Sequence, residues 1–141
     1  MQMTQILKLK SGNALEEKSS YSRLVAAGDW IFVSNTAGRN PETKLIPEDV
    51  AGQTREVFAN ISRALAGAGA CLGDTVSARV FIQEPADTPA VMEIFAEMFR
   101  GIDPALTVTC PPLGSTAYKV EIEVTAFRGA SNGAQKITLE G

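Results

Sequence analysis

Between Arg23 and Thr36, apolar and β-prone residues alternate on both sides of Gly28 and Asp29, a spacing that predicts two strands joined by a hairpin turn. A further strand is expected just before them, near Thr4 to Lys10. From Asp49 the apolar positions change period: Val50, Val57, Phe58, Ile61, Leu65 and Ala68 recur at helical spacing, with Gly67 and Gly69 as stop signals. After Asp74 the period returns to two, with Val76, Ala78, Val80 and Ile82 against Ser77, Arg79 and Phe81, the pattern of a strand packed on one face. Thr88 is expected to cap a second helix with Pro89 at its first position and Val91, Ile94, Phe95, Met98 and Phe99 as its apolar stripe, ending at Gly101. Two more strands follow, one near Leu106 to Cys110 and one from Tyr118 to Phe127, where Tyr118, Val120, Ile122, Val124 and Ala126 share a face.

This order, ββαβαββ, predicts an α+β domain. Right-handed crossovers would place both helices on one face of a mixed sheet. The opposite face would then carry Ser77, Arg79, Phe81, Thr107, Thr109, Glu121, Glu123 and Thr125, a mixture that is either solvated or buried against sister subunits. Any ligand is expected near the strand pair that runs from Leu106 to Phe127.

At 141 residues the chain predicts a single domain, residues 1–128, followed by a polar, Gly-containing tail over 129–141 that is expected to be partly mobile. With 13 Lys and Arg against 16 Asp and Glu, the chain has no excess of cations, which opposes nucleic acid or an anionic membrane as partner. Small molecules and further copies of the chain are the expected partners. The absence of a long apolar run makes a cytoplasmic location the default expectation.

Histidine is absent altogether, which removes Ser-His-Asp and Cys-His nucleophiles, His-based metal sites and histidine-dependent ribonuclease chemistry. Cys71 and Cys110 are too few and too far apart for a disulfide framework or zinc site, and Cys110 reads as a core residue. Gly67, Gly69 and Gly73 follow a helix and precede a strand, the reverse of a dinucleotide-binding turn, and no phosphate loop occurs. No cofactor or metal is expected.

From Tyr21 to Phe127 the chain resembles the RidA (YjgF, L-PSP) family. Tyr21 and Ser22 followed by Gly28 are similar to that family's strand opening, and Ser34 with Gly38, Asn40, Pro41 and Thr43 to its next strand and loop. Gln53, Asn60, Ile61, Ala68, Gly69 and Asp74 match in the same register, as do Pro104, Ala105 and the run Lys119, Val120, Glu121, Ile122 and Glu123. The resemblance implies a homotrimer with a chorismate-mutase-like fold, three sheets lining its centre and clefts between neighbouring subunits.

It also implies site residues. Archetypal members hydrolyse enamines and imines and clamp the substrate carboxylate with an arginine just after the Pro-Ala pair; here that position is Leu106, which offers only apolar surface. Glu121 matches the glutamate that positions the attacking water, the alternative being a solvated or ion-paired strand glutamate. Tyr21, Asn35, Thr107 and Val108 match positions lining the pocket. Arg23, Arg39, Arg79 and Lys119 are the cations that could replace the clamp from another direction. The expected function is that of a non-archetypal enamine or imine hydrolase (deaminase), the alternative being a non-catalytic small-molecule-binding or interaction trimer. The acidic balance opposes the ribonuclease reading attached to some relatives.

Overall fold

The computed structural model describes residues 5–140. Thr4, where the first strand was expected to begin, lies outside them, as does Gly141 of the tail. Within them the chain forms β1 (Ile6–Leu9), α1 (Ala14–Ser19), β2 (Leu24–Ala27), β3 (Trp30–Ala37), α2 (Val50–Gly67), β4 (Thr75–Ile82), α3 (Thr88–Met98), β5 (Ala105–Thr109) and β6 (Val120–Phe127). The strands make one mixed sheet in the order β1-β2-β3-β6-β4-β5, antiparallel except for the parallel pair β4 and β5. No helix among the described residues is long and apolar enough to cross a membrane.

The expected hairpin is present, with Gly28 supplying the positive φ of +60° that its turn requires. Asp49 caps α2 by accepting from the Gly52 N–H at 3.0 Å. Both long helices pack on one sheet face. Phe58 of α2 stacks edge-on against Phe95 of α3 and against Phe99, with centroids 6.3 and 5.4 Å apart, over Ile31, Val80, Ile82, Val120 and Ile122. Each fully buried side chain of this kind contributes roughly 1.5–3 kcal/mol, so this layer fixes the sheet on which the site is built.

Several expectations are corrected. The strands holding Leu106 and Phe127 are not a pair, because β4 lies between β5 and β6. The crossover through α3 returns β5 parallel to β4, and β6 then fills the other side of β4. A bulge between Thr75 and Ser77 turns Val76 off the core face, and Thr75 is buried there instead. Asp87, not Thr88, occupies the cap position of α3, because a 3-10 turn over Pro85–Asp87 leads into it. Cys110 is exposed, one residue past the end of β5, with its sulfur 3.8 Å from the Thr88 hydroxyl.

Helix α1 was not anticipated. Asn13 caps it by accepting from the Leu15 N–H at 2.8 Å, while the fully buried Glu16 carboxylate accepts the Ser11 N–H at 2.9 Å and the Ser11 hydroxyl. The tail is tied to the body: Ser131 N–H donates to Asp74 at 3.0 Å, and Lys136 Nζ to Asp103 at 2.9 Å and the Gly101 carbonyl at 2.8 Å. Burial pushes the Asp74 carboxyl upward, but the hydrogen bonds from Ser131 and Cys71 outweigh it and hold the group below its ordinary value.

Neither long helix covers the second sheet face. Besides Arg79, Phe81 and Thr107 it carries Trp30 and Phe32, each 49% exposed, and Phe127, whose ring meets Trp30 edge-on at 4.9 Å.

Candidate functional site

Three segments converge on the carboxylate of Glu121. The first is the turn after α1. Ser20 adopts a left-handed conformation at φ 61° that ends the helix, and the Tyr21 N–H closes on the Glu16 carbonyl at 3.0 Å. Lys10 Nζ donates to the Tyr21 carbonyl at 3.0 Å, and the Arg23 N–H to the Leu9 carbonyl at 2.9 Å. Tyr21 and Arg23 are therefore fixed through their backbones, and the Arg23 guanidinium lies 5.8 Å from the Tyr21 ring centre.

The second segment is the irregular end of β3. Its pairing with β6 slips between Val33 and Thr36, and such a bulge re-aims the side chains within it. Asn35 Nδ2 thereby donates to Glu121 Oε1 at 2.7 Å, while Arg23 Nη2 donates to the Asn35 carbonyl at 2.8 Å. Ser34 reinforces the bulge: its hydroxyl donates to the Ser22 carbonyl at 2.7 Å.

The third is the start of β6. Gln53 of α2, 1% exposed, accepts the Lys119 N–H at 2.8 Å and donates to the carbonyls of Ala117 at 3.0 Å and Pro47 at 2.9 Å. Glu121 follows two residues later, in register with Phe81 and Ala37. Burial raises its carboxyl above the ordinary value of 4.5, and the positive charge of Arg23 acts in the opposite sense. A half-buried carboxylate held by one neutral donor is a competent general base for a nearby water.

These segments border a cavity of about 980 Å³ whose lining includes Tyr21, Arg23, Asn35, Arg39, Lys44, Asn60, Tyr118 and Glu121. Of the expected site residues, Tyr21, Asn35 and Glu121 are brought together there. Leu106, Thr107 and Val108 are not. They lie on the sheet-edge strand β5, beyond β4. Leu106 and Val108 pair with the core residues Ala78 and Val80, and Leu106 is 43% exposed, while Thr107 pairs with Arg79 on the face that neither long helix covers. Among the cations, Arg79 is bound to Glu123 at 3.4 Å, and Arg23 and Arg39 line the cavity.

Sequence reasoning missed the pairing of Asn35 with Glu121, because a bulge leaves no periodic trace, and it missed Asn60 as a wall residue. Asn60 donates to the carbonyls of Ala37 and Arg39, both at 3.0 Å, and so fixes the loop after β3.

The family model described as Endoribonuclease L-PSP matches residues 11–128. A RutC family protein of Pyrococcus horikoshii is 28% identical over 117 residues, covering 82% of this chain and 93% of that protein. A rat protein named 2-iminobutanoate/2-iminopropanoate deaminase is 31% identical over 114 residues, covering 78% and 81%. The crystal structure of a YjgF/YER057c/UK114 family member from Mycobacterium tuberculosis superposes with a TM-score of 0.80 at 31% identity, covering 87% of this chain and 99% of that one.

Proposed function

The chain belongs to the L-PSP family, also called RidA or YjgF, and from that premise we propose that it hydrolyses a small imine or enamine with Glu121 as general base. The observation that carries this reading is the Glu121 carboxylate, half-buried at a cavity wall and held at 2.7 Å by Asn35. In the reaction, an enamine first tautomerises to the imine. Glu121 takes a proton from water as the water oxygen bonds to the C=N carbon, and the nitrogen is protonated to give a tetrahedral carbinolamine. Glu121 returns its proton to nitrogen, the C–N bond breaks as the hydroxyl gives its proton to solvent, replacing the one the nitrogen first took up from there, and ketone and ammonia leave, with no change of oxidation state. The deaminase name of the rat relative supports this choice of chemistry.

The site is proposed to be completed in a homotrimer. Trp30, Phe32 and Phe127 form an exposed apolar patch on the sheet face opposite the two long helices, which association would cover. In that assembly the β5 edge of a neighbouring copy, with Leu106, Thr107 and Val108, is proposed as the opposite wall of the cleft. An apolar residue at Leu106 also favours the second reading, capture of a small molecule without turnover, since it brings no charge to the reacting group.

Ammonia release from a panel of imines and enamines generated in situ tests the proposal, with light scattering to fix the assembly. Glu121→Gln, which keeps an acceptor for Asn35, should lower the rate by about 10²–10⁴-fold. Equal turnover by wild type and variant would overturn the hydrolase reading, and a monomer at micromolar concentration would remove the shared cleft.

A further inference from the structure

Two glutamates of β6 lie on the sheet face that neither long helix covers, and their partners are unlike. Glu123 is paired with a charge, Arg79 of β4, at 3.4 Å. Glu121 has a neutral partner, the side-chain amide of Asn35, at 2.7 Å. An ion pair neutralises a carboxylate, whereas a neutral donor fixes one oxygen and leaves the other free to take a proton.

The bulge of β3 places Asn35 for this task. Val33 pairs with Val124 and Thr36 with Ile122, so Ser34 and Asn35 together face Glu123 alone. The extra residue releases the Asn35 side chain from the alternation of the ladder and lets it reach Glu121, while Arg23 Nη2 holds its carbonyl at 2.8 Å. Chemistry fixes the direction of the amide: an ionised carboxylate can only accept, so Asn35 must turn its nitrogen toward it. Asn35 Oδ1 and Glu121 Oε2 are then left as two acceptors without a donor among the described residues, on neighbouring groups of one cavity wall. The other charged or titratable side chains around Glu121 are Tyr21 and Arg23 before β2, Arg39 and Lys44 after β3, Tyr118 before β6, and the ion pairs Arg63–Glu56 and Arg79–Glu123, with the uncharged Phe81 opposite it on β4. Of these, Arg23 is the one whose charge acts on the carboxyl.

We propose that Asn35 is the positioning residue of this site: its amide nitrogen fixes Glu121 Oε1 and favours the ionised carboxylate, and its Oδ1 joins Oε2 in accepting the two hydrogens of the attacking water. The proposal rests on the reading of Glu121 as general base. A water that donates one hydrogen to each acceptor has its lone pairs turned away from both, toward the C=N carbon, and Oε2 takes its proton as the carbon–oxygen bond forms. Glu121 alone would accept one hydrogen and leave the water free to turn about that bond.

Carbon-13 NMR titration of the Glu121 carboxyl in the full-length chain, assigned by its loss in Glu121→Gln, tests the hold of Asn35 without turnover. Removing a donor from the ionised form favours the neutral one, so Glu121 should titrate at higher pH in Asn35→Leu than in wild type. Asn35→Asp keeps the shape but sets a second carboxylate against the first, so the upper titration step of the pair should also lie above that of wild type. In wild type itself the Asn35 side-chain amide protons should shift with the same midpoint as Glu121, which decides the matter even if neither variant folds. For imine hydrolysis, the acid limb of kcat/KM should move up with the titration in Asn35→Leu, and the plateau should fall roughly 10- to 100-fold, as for one lost hydrogen bond to a charged group. A Glu121 titration unchanged in both variants, amide protons that do not follow it, or a wild-type plateau in Asn35→Leu would each overturn the proposal. Wild type that releases no ammonia, with the titration moved as stated, would sink the hydrolase reading and the water's role with it, and leave the hold of Asn35 on Glu121 standing.

Discussion

Replacing Gln53 by leucine tests how the scaffold holds the site. The side chain is 1% exposed and joins three backbone groups from separate segments: the carbonyls of Pro47 and Ala117 and the N–H of Lys119. Leucine has nearly the same shape and none of these bonds. A net hydrogen bond is worth about 0.5–1.5 kcal/mol, and a buried group left without a partner costs about 1–3 kcal/mol. Because Pro47 and Ala117 lie in loops that can shift toward water, the expected loss is about 3–5 kcal/mol, a fifth or more of the roughly 5–15 kcal/mol of a typical domain. Denaturant unfolding at one fixed protein concentration measures it, and Gln53→Glu is the companion. Glutamate keeps an acceptor for Lys119 but turns a buried carboxylate on two carbonyl oxygens, so it should cost no less than leucine. A loss under about 1 kcal/mol for Gln53→Leu would refute the reasoning, since it would mean that the Lys119 end of β6 is held by something else.

Glu121→Gln should raise stability at neutral pH while it removes most of the turnover. A carboxyl whose folded pKa is raised stabilises the fold fully only below its unfolded pKa, near the ordinary 4.5, and loses that contribution as pH climbs through the folded value. The advantage of glutamine should therefore shrink as the solution is acidified toward the ordinary carboxyl range; thermal melts across pH check the sign, and a destabilised variant at neutral pH would contradict it. Two glycines should respond oppositely to alanine. At Gly38 a Cβ would sit 2.5 Å from the Gln53 backbone oxygen, so Gly38→Ala should cost about 1–3 kcal/mol in unfolding experiments. At Gly67, in the last turn of α2, the close atom is the movable Leu9 Cδ1 at 2.5 Å, so Gly67→Ala should be neutral or gain up to about 1 kcal/mol from helix propensity in the same assay.

Most of the sheet and both long helices were legible because their signals are periodic: the stripe from Val57 to Leu65 and the alternation from Val120 to Ala126 are both buried as the pattern requires. What was lost is aperiodic or depends on partners far along the chain. The slip that aims Asn35 at Glu121 adds one residue to a strand and changes no composition. The misreading of Leu106 to Phe127 as a strand pair came from chain order, whereas β4 lies between these strands. Helix α1 did leave a signal, Asn13 followed three residues later by Glu16, but Glu16 turned to Ser11 and not to the cap backbone. Trp30 and Phe32 fell within an alternation whose faces could not be told apart until Ile31 and Val33 were seen in the core. Arg23 was only one cation among several until Asn35 and Tyr21 were placed around it.

The dependence of kcat/KM on pH for imine hydrolysis, corrected for the uncatalysed rate, tests the role of Glu121 most directly. Burial raises this carboxyl, so activity should climb with pH along an acid limb whose apparent pKa lies above the ordinary 4.5, and the limb should vanish in Glu121→Gln together with most of the rate. An acid limb of the same position in Glu121→Gln, or one at or below the ordinary carboxyl value, would contradict the account.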